Sequence, residues 1–288
     1  MKPQRPAAAG RAGKVAQEMK IGVVTVNLHV GWPACLETAA QIGAEGVSIR
    51  VNGEELSPDL TAAEADKVRK LVAAKGLILA STCGEVGGFA EEEHWQRRVD
   101  ITLKCLKATA LLGAPVMTAH VGVIPEDREH PNWQRVFQAL LAVKEVCEKV
   151  EVKFAIETGP EHPAVLRDML ERIGSPYVGV NLDPANLVMR GWSPQAGVRI
   201  LREFIFHTHA KDGRCLSPTS HRELPLGEGD VCYPLYLQAL QEIGFDGFLA
   251  IERETGTDRV GDVRRAIEFL RQELAKLPAP PQAAANPA

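Results

Sequence analysis

The chain has 288 residues, with 33 Lys and Arg against 37 Asp and Glu, a net charge of −4, 45% hydrophobic and 24% charged side chains. This balance excludes wholesale disorder and lacks the concentrated basic face that nucleic-acid binding requires. No apolar run reaches the roughly 18 residues of a membrane span, so neither nucleic acid nor membrane is expected as a partner.

Six cysteines (35, 83, 105, 147, 215 and 232) are scattered without a Cys-x-x-Cys pair. That pattern argues against a disulfide framework or thiolate zinc and fits a reducing cytoplasm. Residues 1–19 are rich in Ala, Gly, Pro and basic side chains but carry no apolar signal-peptide core. They read as a disordered extension, with Met19-Lys20 as a candidate natural start. The Pro/Ala-rich tail 277–288 reads as disordered as well.

Between these ends one theme repeats: a short apolar strand, a polar loop, a helix-length segment, then glycine. In chain order the predicted strands are 21–27 (IGVVTVN), 46–51 (GVSIRV), 77–82 (LILAST), 115–120 (PVMTAH), 152–157 (VKFAIE), 178–183 (VGVNLD), 204–209 (FIFHTH) and 248–252 (FLAIE). Helical segments close at Ile42-Gly43, Lys75-Gly76, Leu112-Gly113, Ile173-Gly174 and Ile243-Gly244, where glycine suits the left-handed residue that ends a helix. Length alone admits two domains or one barrel of about 250 residues. Eight uninterrupted strand–helix units select a single parallel (β/α)8 barrel over 20–276.

Within the strands one alternate set is apolar: Val24, Val26, Val47, Ile49, Ile156, Val180, Leu182, Leu249 and Ile251. The other set turns polar toward the C-terminal ends: Thr25 and Asn27, Ser48 and Arg50, Thr118 and His120, Asn181 and Asp183, His207 and His209. Because side chains alternate faces, the first set is expected against the helices and the second inside the barrel.

Glu157, Asp183, His209 and Glu252 end the last four strands, at intervals of 26, 26 and 43 residues, the longest holding a Gly/Pro-rich insertion (215–230). Three carboxylates and one imidazole in one mouth repel unless a cation joins them. A hard, oxygen-rich set with a single His suits one divalent ion, Mn²⁺ foremost, with Mg²⁺, Co²⁺ and Zn²⁺ as alternatives.

The segments AIETGP (155–160), VNLDPANL (180–187), HTHAKDG (207–213), PLGEGDV (225–231) and GFLAIERE (247–254) are similar to the xylose isomerase-like TIM-barrel superfamily. Within it they resemble the sugar isomerase/epimerase group that includes ketose 3-epimerases, hydroxypyruvate isomerases and inosose dehydratases, over about residues 20–275. The resemblance implies that Glu157, Asp183, His209 and Glu252 hold the metal. It also implies that Glu157 and Glu252 approach the carbon beside a sugar carbonyl from opposite faces, one removing its proton and the other returning it through a cis-enediolate.

Around them His120 is either a substrate contact or an interior histidine, and His207 a structural one. Lys211 and Asp212 follow the metal histidine and are candidates for substrate contact or for orienting it. Asn186 is a further substrate-binding candidate at a position where ketose 3-epimerases carry histidine. Arg214 and Arg253 are either anion contacts or solvated rim charges, and Arg50 and Glu85 either reach the mouth from strands two and three or, more simply, form a rim salt bridge. Gly227-Glu228-Gly229 is expected to shape a turn.

Three other readings compete. A lyase of the inosose dehydratase type uses the same metal and expels a hydroxyl. An endonuclease IV-like nuclease needs extra histidines where this chain has Arg50, Cys83 and Asn186. A barrel without catalysis merely binds sugar. The reading carried forward is a metal-dependent sugar isomerase or epimerase with a small sugar-like keto substrate, its barrels free to pair as a homo-oligomer.

Overall fold

The computed structural model describes residues 18–217 and 219–278. Most of the two expected disordered segments lies outside these residues. At their inner ends Met19 is buried in the core, and Leu277 packs against it.

The barrel strands are β1 (Lys20–Val24), β2 (Gly46–Arg50), β3 (Ile78–Cys83), β4 (Val116–Ala119), β5 (Lys153–Glu157), β6 (Val178–Leu182), β7 (Ile205–Ala210) and, eighth, β10 (Phe248–Ile251). They close in the order β1-β10-β7-β6-β5-β4-β3-β2, every neighbouring pair parallel. This is a single (β/α)8 TIM barrel.

Around it lie α1 (Ala34–Gln41), α2 (Ala62–Ala74), α3 (Trp95–Leu112), α4 (Pro131–Val150), α5 (Pro163–Ile173), α6 (Pro184–Val188), α7 (Pro194–Leu201), α8 (Tyr233–Glu242) and α9 (Arg259–Ala275). The glycines expected to close helices all take positive φ: Gly43, Gly76, Gly113, Gly174 and Gly244.

Register fixes the two faces, since partners in a parallel pair point the same way. Val47, Ile49, Ile156, Val180, Leu182, Leu249 and Ile251 are buried together with helix residues such as Leu106, Leu140, Leu170 and Leu270. Burying this apolar surface drives closure of the outer layer. The inner face begins with Ser48 and Ser81, which pair in register and share a hydrogen bond of 2.7 Å.

The first strand corrects the expectation. Val23 pairs with Val47, and Val24 pairs with inward Ser48, so Ile21 and Val23 face the helices while Val24 faces inward. The strand also stops early, because Thr25–Leu28 form a 3₁₀ turn. The Thr25 hydroxyl oxygen lies 2.9 Å from the Ser48 carbonyl and 2.8 Å from Glu55, its one hydrogen shared between these acceptors, which pulls the chain out of the ladder.

Aromatic rings fill the barrel floor where glycine makes room. A Cβ on Gly46 would stand 2.5 Å from the Phe248 ring, and one on Gly179 would stand 2.5 Å from Phe206.

The insertion after β7 is a hairpin of β8 (Asp212–Ser217) and β9 (Ser220–Leu224), pairing Asp212 with Leu224. Arg253 clamps it to the barrel, 2.6 Å from Glu223 and 2.8 Å from Asp262 of α9. Arg253 is therefore buried between two carboxylates of the protein rather than left as a solvated rim charge.

Candidate metal and active site

Each of the four expected ligands leaves the C-terminal end of its strand toward the axis. Glu157 is the last residue of β5, and Glu252 follows β10 with its backbone N–H 3.1 Å from the Ala210 carbonyl. His209 lies in β7, paired with inward-facing Ala250. Asp183 follows β6 and caps α6, its Oδ1 accepting from the N–H groups of Ala185 (2.7 Å) and Asn186 (3.0 Å).

The four side chains are nearly buried, and one ligand atom from each lies within 4.8 Å of all the others. His209 Nδ1 sits amid the carboxylates, 3.4 Å from Glu252, 3.6 Å from Glu157 and 3.8 Å from Asp183. Burial alone would lower this imidazole's pKa, but Glu252 and Glu157 outweigh it and hold the pKa well above the usual histidine value.

The other oxygen of Asp183, Oδ2, is buried without a hydrogen-bond partner. A buried, unpartnered carboxylate oxygen is costly, and it faces the three other donors. Three carboxylates, one imidazole and this open lone pair fit a divalent cation of the oxygen-preferring kind.

The surrounding residues hold the two glutamates differently. Lys211 is buried, with Nζ 2.8 Å from Glu252 and 3.8 Å from Asp183, and it also pairs with Glu254. Burial opposes the Lys211 charge, but Glu252 and Asp183 raise its pKa well above the ordinary lysine value.

Glu157 instead meets amides and an imidazole. Asn181 Nδ2 lies 3.3 Å from its Oε2, Asn186 Nδ2 lies 3.1 Å from its Oε1, and His120 Nε2 lies 3.4 Å away. His120 is anchored by Glu85, which accepts from its backbone N–H (2.8 Å) and lies 3.0 Å from Nδ1. Below them His207 Nδ1 meets Asn181 Oδ1 at 2.9 Å, and burial lowers its pKa to about 3.

The structure thus gathers Glu157, Asp183, His209, Glu252, His120, Asn186 and Lys211 into one mouth. Two expected substrate contacts fall outside it. Asp212 spends its carboxylate on four backbone N–H groups, those of Gly213 (2.8 Å), Gly227 (2.9 Å), Gly229 (3.0 Å) and Val231 (3.1 Å), and so organises the loop. Arg214 points along the hairpin to Asp230 (2.8 Å) and the Glu228 carbonyl (3.0 Å). Arg50 and Glu85 do not form the expected salt bridge. Arg50 pairs with Glu54 at 2.6 Å, while Glu85 holds His120.

Asn181, a partner of Glu157, is not among the expected site residues. Its inward parity two residues before Asp183 is the signal that finds it.

A family model described as xylose isomerase-like TIM barrel matches residues 36–273. The chain belongs to this family. A curated relative in Escherichia coli K12, SgbU, provisionally ascribed L-ribulose-5-phosphate 3-epimerase activity, is 25% identical over 267 residues, 85% of this chain and 93% of that protein. Among solved structures, a xylose isomerase domain protein from Planctomyces limnophilus superposes with a TM-score of 0.80 at 25% identity, covering 90% of this chain and 98% of that one. A D-tagatose 3-epimerase-like protein superposes with a TM-score of 0.74 at 22% identity, covering 89% and 97%. Among the described residues no helix is long and apolar enough to cross a membrane.

Proposed function

We propose that this protein is a divalent-metal-dependent sugar isomerase or epimerase that moves a proton at the carbon beside a carbonyl. The observation that carries this reading is the placement of two glutamates on either side of one imidazole, with His209 Nδ1 3.6 Å from Glu157 and 3.4 Å from Glu252. The activity ascribed to the E. coli relative supports it.

Glu157, Asp183, His209 and Glu252 would hold the ion, Mn²⁺ being the best match to one imidazole and three carboxylates. Bound there, it supplies a Lewis acid that draws charge from a carbonyl oxygen.

The rest is the work of side chains. One glutamate takes the proton from the carbon next to the carbonyl, and the other delivers a proton to the opposite face, which inverts the centre. Lys211 holds Glu252 in place from behind, while Asn181 and Asn186 aim Glu157. His120, half exposed and steadied by Glu85, is placed to meet a hydroxyl of the substrate near Glu157.

Product analysis by proton NMR on Mn²⁺-loaded protein with ketoses, keto-inositols and hydroxypyruvate tests the reading. An epimeric or isomeric sugar is expected. A product short of one water moves the chain to the dehydratase reading instead.

A further inference from the structure

Glu157, Asn181 and His207 form one layer across three neighbouring strands. Glu157 of β5 pairs in register with Asn181 of β6, and Asn181 with His207 of β7, so the three side chains project to the same face. The second pairing depends on a register shift. Val180 pairs with Ile205 and Asn181 with His207, which leaves Phe206 as an extra residue of β7. A regular ladder would set Asn181 beside Phe206. The bulge instead sends the Phe206 ring to Gly179 at the barrel floor and puts an imidazole against the Asn181 amide.

The contacts run in one direction through that amide. Asn181 Oδ1 lies 2.9 Å from His207 Nδ1, while its Nδ2 lies 3.3 Å from Glu157 Oε2 and 3.2 Å from His209 Nε2. All four side chains are buried. An amide has one accepting end and one donating end. Turned over, Asn181 would set its oxygen against the Glu157 carboxylate and its NH₂ against the His207 N–H. The Nδ1–H of His207 therefore decides which end of Asn181 faces the two ligands. The other ring nitrogen, Nε2, is buried with no hydrogen-bond partner among the described residues, so the ring's polar contact is spent on Asn181.

His207 is no part of the ligand cluster. Residues behind a metal's ligands nonetheless fix ligand orientation and tune affinity.

We propose that His207 is a positioning residue that acts through Asn181, aiming the Glu157 carboxylate and the His209 imidazole at the cation they share and at the reacting carbon. The inference deepens the proposed function and rests on it for what Glu157 and His209 hold.

The test is calorimetric titration of Mn²⁺ into the metal-free full chain, with urea midpoints measured alongside. His207→Phe keeps a ring and removes the donor, and it is expected to weaken Mn²⁺ binding by about 10-fold or more. His207→Leu carries the same prediction should the phenylalanine ring not be tolerated. His207→Gln returns an N–H and is expected to recover most of the loss. Asn181→Leu should weaken binding as well, and adding His207→Phe to it should cost nothing further, because the histidine acts only through the amide. Wild-type affinity in His207→Phe with a lowered urea midpoint would make His207 a packing residue and overturn the proposal, as would losses that add in the double variant.

The two readings fail separately. No Mn²⁺ binding by wild type removes both, whereas binding that His207→Phe leaves unchanged removes the positioning role alone. The predicted pattern in a protein that exchanges no proton with any sugar leaves the positioning role standing and removes the epimerase.

Discussion

The ammonium of Lys211 lies 2.8 Å from Oε2 of Glu252, both groups buried, so a fixed positive charge backs one of the two candidate acid–base glutamates. Deleting one partner of a buried pair strands the other. Lys211→Met is therefore expected to lower unfolding free energy by about 3 kcal/mol in urea denaturation of metal-free protein. Added Mn²⁺ should recover more stability in this variant than in wild type, because the cation replaces the lost charge. A loss under about 1 kcal/mol would show that the pair does not matter to the fold.

Asp212 ties together the loop that follows the hairpin. Asp212→Ala leaves four backbone N–H groups without an acceptor and is expected to cost about 3 kcal/mol. Gly229→Ala should act in the same direction, since its Cβ would fall 2.0 Å from Asp212 Oδ1. Thermal melts check both. An Asp212→Ala protein of normal stability but raised KM would restore the role in substrate binding.

The thiols give a pH prediction. Burial pushes Cys105 and Cys147 up to about 12, and burial with the Glu55 carboxylate does the same for Cys35. These pKa values are raised above the unfolded value of 9.0. Their contribution is therefore fully present below pH 9 and is lost as pH rises toward 12. Urea midpoints should fall across that window in excess of the losses from other groups, and replacing Cys105 and Cys147 by alanine should flatten the slope. In native protein at pH 8 a disulfide reagent should label exposed Cys232 rapidly and leave Cys35, Cys105 and Cys147 unmodified.

Asp183 carries two duties on two oxygens, capping α6 with Oδ1 while Oδ2 is left open. Asp183→Asn keeps an acceptor for the cap and removes the charge. Calorimetric titration should find one Mn²⁺ per wild-type chain and at least 10-fold weaker binding in the variant, with little change in the metal-free melting temperature. Manganese at 100 times its Kd should stabilise wild type by about 2.7 kcal/mol. Unchanged affinity in Asp183→Asn would remove this residue from the ligand set.

The barrel was legible because each strand is a β-branched run closed by a polar residue, and because Gly43, Gly76, Gly113, Gly174 and Gly244 punctuate the helices. The four cluster residues were legible for the same reason, each ending a strand. What stayed hidden depends on contacts between distant segments. Thr25–Leu28 have strand-like side chains, yet hydrogen bonds to Ser48 and Glu55 bend them into a turn. The hairpin of β8 and β9 lacks alternating hydrophobicity, and it is held by Arg253 from outside and by Asp212 at its base, which ties it to the following loop. Asp212 and Lys211 are adjacent in sequence and both buried, but one turns to a loop and the other to Glu252, a distinction that spacing does not encode.

The central claim is that Glu157 and Glu252 shuttle a proton at a carbon beside a carbonyl. The most direct measurement is proton NMR of Mn²⁺-loaded protein with unphosphorylated ketoses in D₂O, run beside Glu157→Gln and Glu252→Gln. The account predicts that solvent deuterium enters the carbon next to the carbonyl with wild type, and that either substitution suppresses this by at least 100-fold while the fold and sugar binding persist. Exchange at the wild-type rate in both variants, or product formed with no deuterium incorporated, would contradict it.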